Sequence, residues 1–284
     1  MRPGTPALTL LATACLALAG CSTDGQAAPG APSATSTLRL PDRNAGFDYQ
    51  LGGPYRPPAE VGTVERDRTH EPAGVGYDIC YVNGFQTQPA ESADVAQRHP
   101  DLVVQLGGKP LVDPDWPDEY LLDTSTAPKR EALAAIVKPW IDGCAAKGYA
   151  AVEVDNLDSY TRSAGRLTVE DNVAMAATYA RMAHQSGLAI AQKNGAEIAG
   201  RLRSAGYDFA ITESCAQFSE CDSYTTQYPV VLDIEYTDEL GPEAFDSACN
   251  GVGRPPVMIM RDHNLVTPND SGYYYSACAP AHPS

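Results

Sequence analysis

The sequence predicts an α/β chain whose parallel strands close into one (β/α)8 barrel domain, stapled by disulfides. Three observations carry this. Short β-branched and aromatic runs alternate with longer Ala-rich amphipathic stretches, the rhythm of strand–helix–strand units and so of a parallel sheet. The strand candidates end on polar or charged residues, namely Gln50, Asn83, Asp123, Asp155-Asn156, Lys193-Asn194, Glu213, Glu235 and Arg261-Asp262. In a barrel such ends converge on one face, whereas in an open sheet they spread along an edge. No Gly-rich phosphate loop follows the first strand, which argues against a dinucleotide-binding sheet.

The first residues predict export. Arg2 is followed by a short apolar stretch, Ala7 to Ala19, too short to span a bilayer as a helix. It ends Leu18-Ala19-Gly20-Cys21, which resembles the lipobox of bacterial lipoproteins and marks Cys21 for lipidation. Residues 1–21 are therefore expected to be a signal peptide. Residues 22–42, rich in Ala, Gly, Pro, Ser and Thr, are expected to be a flexible tether. The remainder, 43–284, is about the usual size of one α/β barrel. The expected place is the extracellular face of the cell membrane, or the medium.

Along that domain the strand candidates are Phe47–Leu51, Asp78–Asn83, Leu102–Leu106, Tyr120–Asp123, Ala151–Asn156, Ala189–Asn194, Phe209–Glu213, Val230–Tyr236 and Val257–Asp262, with Val64–Asp67 a weaker one. The helices carry their own start and stop signals. Thr126 caps a stretch with Pro128 in its first turn, running to about Lys147 and stopped by Gly148. Thr168 and Asp171 stand at capping-box spacing before a helix that runs to about Gln185, ended by Gly187. A shorter helix, Gly195 to Ser204, ends at Gly206.

The densest chemical signal is Glu153-Val154-Asp155-Asn156-Leu157-Asp158-Ser159-Tyr160. Alternate strand residues share a face, so Glu153 and Asp155 point into a barrel while Val152 and Val154 pack against helices. Two acids in a core are costly unless paired or hydrogen-bonded, a cost expected at a functional site. Glu213 closes an apolar strand, and Asp233 and Glu235 alternate in another. Lys193-Asn194 and Arg261-Asp262 add cations and amides to the rim. A cation beside paired carboxylates lowers one pKa and a like charge raises another, which is how two acids take separate roles. Serine, cysteine and histidine routes are weak: there is no G-x-S-x-G elbow, and of the histidines only His263 lies just past a strand end. Tyrosines near strand ends and Trp116 suit stacking on sugars or plain packing.

Six cysteines follow the signal, an even number that suggests disulfides in an exported chain. Of the fifteen possible pairings, Cys215–Cys221 would close a short loop, Cys249–Cys278 would pin the C-terminal tail, and Cys80–Cys144 would tie an early strand to a helix. No C-x-x-C pair stands near a His cluster, so no metal site is expected. The charge balance, 36 acidic against 20 basic residues, gives a net charge of −16. It disfavours nucleic acid and anionic membranes and favours a cationic ligand.

Seven motifs, in order, resemble glycoside hydrolase family 114: Phe47-Asp48-Tyr49-Gln50, Cys80-Tyr81-Val82-Asn83, Leu121-Leu122-Asp123, Glu153-Val154-Asp155-Asn156-Leu157-Asp158, Gln192-Lys193-Asn194, Thr212-Glu213 and Ile234-Glu235-Tyr236. The resemblance runs from about residue 45 to 278. It implies a TIM barrel, an endo-acting α-1,4-galactosaminidase type of activity, no cofactor, and Asp155 with Glu213 as the catalytic pair. The residues expected to contact substrate are Asp48, Tyr49, Gln50, Tyr81, Asn83, Asp123, Glu153, Asn156, Asp158, Tyr160, Lys193, Asn194, Glu235, Tyr236, Arg261 and Asp262. Related barrels often read Cys-Tyr-Phe where this chain has Cys80-Tyr81-Val82-Asn83-Gly84-Phe85, so contacts there are expected to differ. The expected mechanism, retaining or inverting, has Glu213, its pKa raised, protonating the leaving oxygen and Asp155 ionised as nucleophile or base, with the two roles open to exchange and Glu235 or Glu153 able to take one. The expected partner is a cationic or amino-sugar polysaccharide, bound by a monomer; the alternatives are a non-catalytic surface carbohydrate-binding protein on a barrel scaffold and a hydrolase of another α-linked polysaccharide.

Overall fold

A computed structural model of the chain describes residues 38–279. The expected signal peptide, Cys21 and most of the expected tether lie outside the described residues. Residues 38–42 are tied to the domain. Arg39 donates to the Gly76 carbonyl (2.7 Å), and Leu38 and Leu40 pack against the apolar interior. Among the described residues no helix is long and apolar enough to cross a membrane.

Eight parallel strands form the wall: β1 (Gly46–Tyr49), β2 (Val61–Asp67), β3 (Tyr77–Asn83), β6 (Ala151–Asp155), β7 (Ala189–Lys193), β8 (Phe209–Glu213), β9 (Val231–Tyr236) and β10 (Val257–Arg261), paired in that order. A ninth strand, β11 (Tyr275–Ala277), runs antiparallel on the free edge of β10. No backbone ladder joins β1 to β10 among the described residues. Side chains stitch this seam: Arg261 donates to the Tyr49 carbonyl, and the Tyr275 hydroxyl donates to the Phe47 carbonyl (2.8 Å). The result is a nearly closed, mostly parallel barrel.

Strand alternation divides the apolar residues into two layers. Phe47, Ile79, Ala151, Phe209, Ile211, Leu232 and Ile259 fill the barrel interior. Val82, Val152, Val154 and Ile190 face outward against Leu133 and Val137 of α2 (Ala127–Lys147) and Met175 and Tyr179 of α3 (Val169–Gln185). The outward Val152 and Val154 and the inward Glu153 thus sit as the alternation predicts. Helix starts follow the sequence signals too. Thr126 accepts from the Lys129 amide, and Thr168 with Asp171 forms a complete capping box, a device worth about 1 kcal/mol. The remaining helices, α1 (Ser92–Arg98), α4 (Ala199–Ala205), α5 (Cys221–Thr225) and α6 (Pro242–Cys249), are short. Cys80–Cys144, Cys215–Cys221 and Cys249–Cys278 are all bonded.

Two expectations change. Val61–Asp67 is a full wall strand, although its Glu65-Arg66-Asp67 end reads as surface. Glu65 is buried inside the barrel and Arg66 is satisfied by the Gln50 side chain (2.9 Å). Conversely, Leu102–Leu106 and Tyr120–Asp123 are not wall strands. Residues 85–125 leave the barrel between β3 and β6, carrying the hairpin β4 (Gln105–Leu106) and β5 (Lys109–Pro110) and antiparallel bridges such as Val103 to Leu122. Their apolar residues bury against this excursion and α3's entry, with Val104, Leu121 and Leu167 forming a small core.

Candidate active site

Three adjacent wall strands deliver the chemistry. Asp155 ends β6, Lys193 ends β7 and Glu213 ends β8. The residue after each adopts a left-handed backbone: Asn156 (φ 66°), Asn194 (φ 49°) and Ser214 (φ 60°). Asn tolerates this region better than most residues, and such conformations gather at functional sites. Here the sharp exit turns the chain off the wall right after the charged residue and brings the following amide back to it. The Asn156 amide donates to Asp155 Oδ1 (2.7 Å), and the Asn194 side chain donates to Glu213 Oε2 (3.0 Å) while accepting from the Glu213 amide (2.8 Å).

Lys193 sits at the centre, with 2% of its side chain exposed. Its Nζ lies 3.4 Å from Glu153 Oε1, 3.6 Å from Asp155 Oδ2 and 3.2 Å from Glu213 Oε2. It also donates to the Tyr49 hydroxyl (2.8 Å). Two more tyrosines serve the acids: Tyr81 donates to Asp155 Oδ2 (2.9 Å), and Tyr236 donates to Glu213 Oε1. Tyr236 stacks in turn on His263, ring centres 4.4 Å apart, and His263 pairs with Asp238.

Electrostatics separates the acids. Burial opposes ionisation of Lys193, but Asp155, Glu153 and Glu213 outweigh it and hold the ammonium form well above its ordinary range. Burial would raise Glu213, yet Lys193 and the hydrogen bonds from Tyr236 and Asn194 prevail, so its pKa falls below the usual carboxyl value. That reverses the expectation of a raised Glu213. The carboxyl that is raised is Glu153, pushed to about 8 by burial and by Asp155 and Glu213, with Lys193 opposing. Behind it Glu65 is raised as well, chiefly by burial and then by Glu153.

Other candidates occupy different positions. Arg261, Asp48 and Gln50 form a buried brace at the seam. Arg261 spends its donors on Asp48 (3.2 Å), Asp262 (3.4 Å), the Tyr55 hydroxyl and the carbonyls of Tyr49, Val266 and Tyr274, while Gln50 donates to Asp48 (2.8 Å). Glu235 accepts from the Ala216 amide (2.7 Å), holding the loop after β8, beside a buried Asp233. Cys215, Cys221 and Asp233 lie within 4.8 Å of one another, but the two sulfurs are bonded to each other and offer no thiolate. Asp158 pairs with Arg162 (2.8 Å), and Tyr160 donates to Glu197. Asp123 is not brought to the cluster. It is held by Lys129 and Ser125 on the excursion, in a hollow lined also by Asp101, Val104 and Arg166.

Sequence reasoning missed Glu119 and Asp113, which the excursion carries to the rim, and Arg162, which the 3-10 turn after β6 supplies. Asn83 donates to Glu119 (3.0 Å) and accepts from Asn156 (3.0 Å), and Arg162 bridges Asn156 (3.0 Å) and Asp113 (2.7 Å). No periodic pattern marks these residues, because they lie on loops and a short 3-10 turn.

The fold matches solved structures. Aspergillus fumigatus Ega3 in complex with galactosamine superposes with a TM-score of 0.68 at 20% identity, covering 86% of this chain and 99% of that one. The glycoside hydrolase domain of PelA from Pseudomonas aeruginosa gives 0.52 at 17% identity, covering 79% and 96%. Among curated protein sequences none matches. The family model for Glycoside-hydrolase family GH114 matches residues 27–281, nearly the whole chain, in agreement with the seven motifs, and the protein belongs to that family.

Proposed function

We propose that the protein hydrolyses α-1,4-linked galactosamine-containing polysaccharide by a two-carboxylate mechanism, with Asp155 and Glu213 as the reacting acids. The observation that carries this is one buried ammonium within 3.6 Å of Asp155 and 3.2 Å of Glu213 at neighbouring strand ends. Since Lys193 touches both, their nearest oxygens lie no farther apart than the sum of those distances. That bound is compatible with the ~5–5.5 Å separation of retaining enzymes, and retention is the outcome proposed. Asp155 attacks the anomeric carbon, its two oxygens held by Tyr81 and by the Asn156 amide. Glu213, whose side chain is the more exposed of the two, protonates the leaving oxygen and then activates water. Because Lys193 keeps Glu213 ionised in the free protein, its acid form is the minor one at neutrality. kcat/KM therefore rises as pH falls from neutral toward the carboxylate range. The similarity to a galactosamine-bound structure and the net charge of −16 support a cationic amino-sugar substrate. A lipid on Cys21 and a tether over the residues between it and Leu38 would hold this domain at the cell surface as a monomer, without cofactor or metal.

The test is mass spectrometry of products from partly deacetylated α-1,4-galactosaminogalactan. Oligosaccharides are expected from the wild type and not from Asp155→Asn or Glu213→Gln. Substrates whose leaving group needs no protonation are expected to release it with Glu213→Gln but not with Asp155→Asn. A near-normal rate in either variant on the polymer removes that residue from the mechanism. Binding without products identifies a carbohydrate-binding barrel instead.

A further inference from the structure

The loop between β5 and α2 brings an acid, Glu119, to the rim beside Asn83 and holds an exposed indole, Trp116, three residues before it, and neither has a role in the reaction described above. Its base is rigid. Asp113 is buried, accepts from the amides of Asp115 (2.8 Å) and Trp116 (3.2 Å), and is fixed by Arg162 (2.7 Å) and Gln86 (2.5 Å). The Glu119 amide closes the turn on the Trp116 carbonyl (2.9 Å). The loop then reaches the wall through Glu119, whose Oε2 accepts from Asn83 (3.0 Å). Asn83 pairs in register with Asp155 across β3 and β6, and adjacent strands are about 4.8 Å apart. The Glu119 carboxyl is thus bound to the residue that faces Asp155 on the neighbouring strand.

Its charge is only partly compensated, by the Asn83 hydrogen bond and at a distance by Arg162. Arg162, the nearest guanidinium in this network, is committed to Asp113 and Asp158. Among the described residues Glu119 Oε1 takes no hydrogen bond, and no cation lies within ion-pair distance of either oxygen. Trp116 is 58% exposed, whereas the other tryptophan, Trp140, packs under Arg68. An indole offers its face to the C–H face of a pyranose and attracts a nearby ammonium.

We propose that Glu119 and Trp116 form a cation-selecting subsite next to the catalytic pair, which takes one deacetylated sugar unit by its free ammonium group. The proposal rests on the amino-sugar reading and names the residue that would choose free amine over N-acetyl. The carboxylate pairs with the ammonium while Trp116 stacks the ring. An N-acetyl group offers no charge to pair and leaves the carboxylate desolvated against a neutral amide. Burial, with Asp155 and Asp113 adding to it, raises the Glu119 pKa to about 7, as expected of an acid awaiting a cation.

Glu119→Gln is the informative variant, because glutamine's carbonyl still accepts from Asn83 and only the charge is lost. The preference for fully deacetylated over N-acetylated oligosaccharide, as a ratio of kcat/KM values, is expected to drop about tenfold, the scale of one charged hydrogen bond, with the change carried by KM. Trp116→Ala should raise KM on both chains. An unchanged preference, or an equal loss on both chains through kcat, overturns the proposal and makes Glu119 a brace for Asn83. If the wild type cleaves neither chain, the hydrolase reading fails on its own. The subsite is then judged by calorimetry with galactosamine: weaker binding to Glu119→Gln supports it, and equal binding overturns it.

Discussion

Lys193 is where the energetics of the site concentrate. Four carboxyl groups, Glu65, Glu153, Asp155 and Glu213, surround or back a single buried ammonium, and they cannot all ionise. Glu153 keeps its proton to about pH 8 and Glu65 is raised behind it, so the cation is left to Asp155 and Glu213. Removing that cation strands buried negative charge. Lys193→Met is expected to cost about 3–5 kcal/mol in chemical denaturation, the usual penalty for breaking a buried pair from one side, and to abolish turnover. A folded state that binds a proton which the unfolded chain has released loses stability as pH rises. For Glu153 that window runs from the ordinary 4.5 to about 8. Glu153→Gln should flatten the decline in stability across this window, and an unchanged slope in pH-dependent melting would sink the assignment. Alternation made Glu153 and Asp155 legible as inward acids. It could not show that Lys193 is buried beneath them rather than on the rim, since that contact joins residues 40 apart in sequence. The lowered Glu213 follows from the same long-range contact.

At the level of elements, strands that end an apolar stretch on a charged residue were readable, and Val61–Asp67 was readable only in part, as the weaker Val64–Asp67. Ala151–Asp155, Ala189–Lys193 and Phe209–Glu213 each pair an apolar run with a charged last residue and a following turn residue. Val61–Asp67 breaks that pattern because the barrel buries its Thr63 and Glu65. Leu102–Leu106 and Tyr120–Asp123 satisfy the pattern locally, but β3 pairs with β6 and leaves them outside the wall. Cross-links between elements differ in reach. Cys80–Cys144 spans 64 residues and ties β3 to α2, while Cys215–Cys221 spans six within the loop after β8. By the loop-entropy relation, replacing the first pair by serines is expected to cost about 4 kcal/mol and the second about 2 kcal/mol. Urea titration of the two variants checks the order. The short loop's variant should lose more activity than stability, because that loop follows Glu213 directly and leans on Glu235.

The whole molecule adds a field to the local contacts. A net charge of −16 draws cations toward the molecule, over a range of about 10 Å at 0.1 M salt. KM for a deacetylated polymer should therefore climb steeply with salt while KM for an N-acetylated one stays flat, and parallel slopes would mean that charge does not recruit the substrate. Composition alone made this sign readable, just as strand–helix rhythm made the barrel readable. The missing ladder was beyond both, since a gap between first and last strands leaves no trace in local sequence. That gap gives the wall a free margin. The first strand is zipped to a neighbour on one side only and buttoned on the other by Arg261 and the Tyr275 hydroxyl. Under tension on the N-terminal end, β1 would peel before the other wall strands and carry away Tyr49, whose hydroxyl meets Lys193. A molecule pulled from its leading end would thus lose its chemistry before it lost its fold.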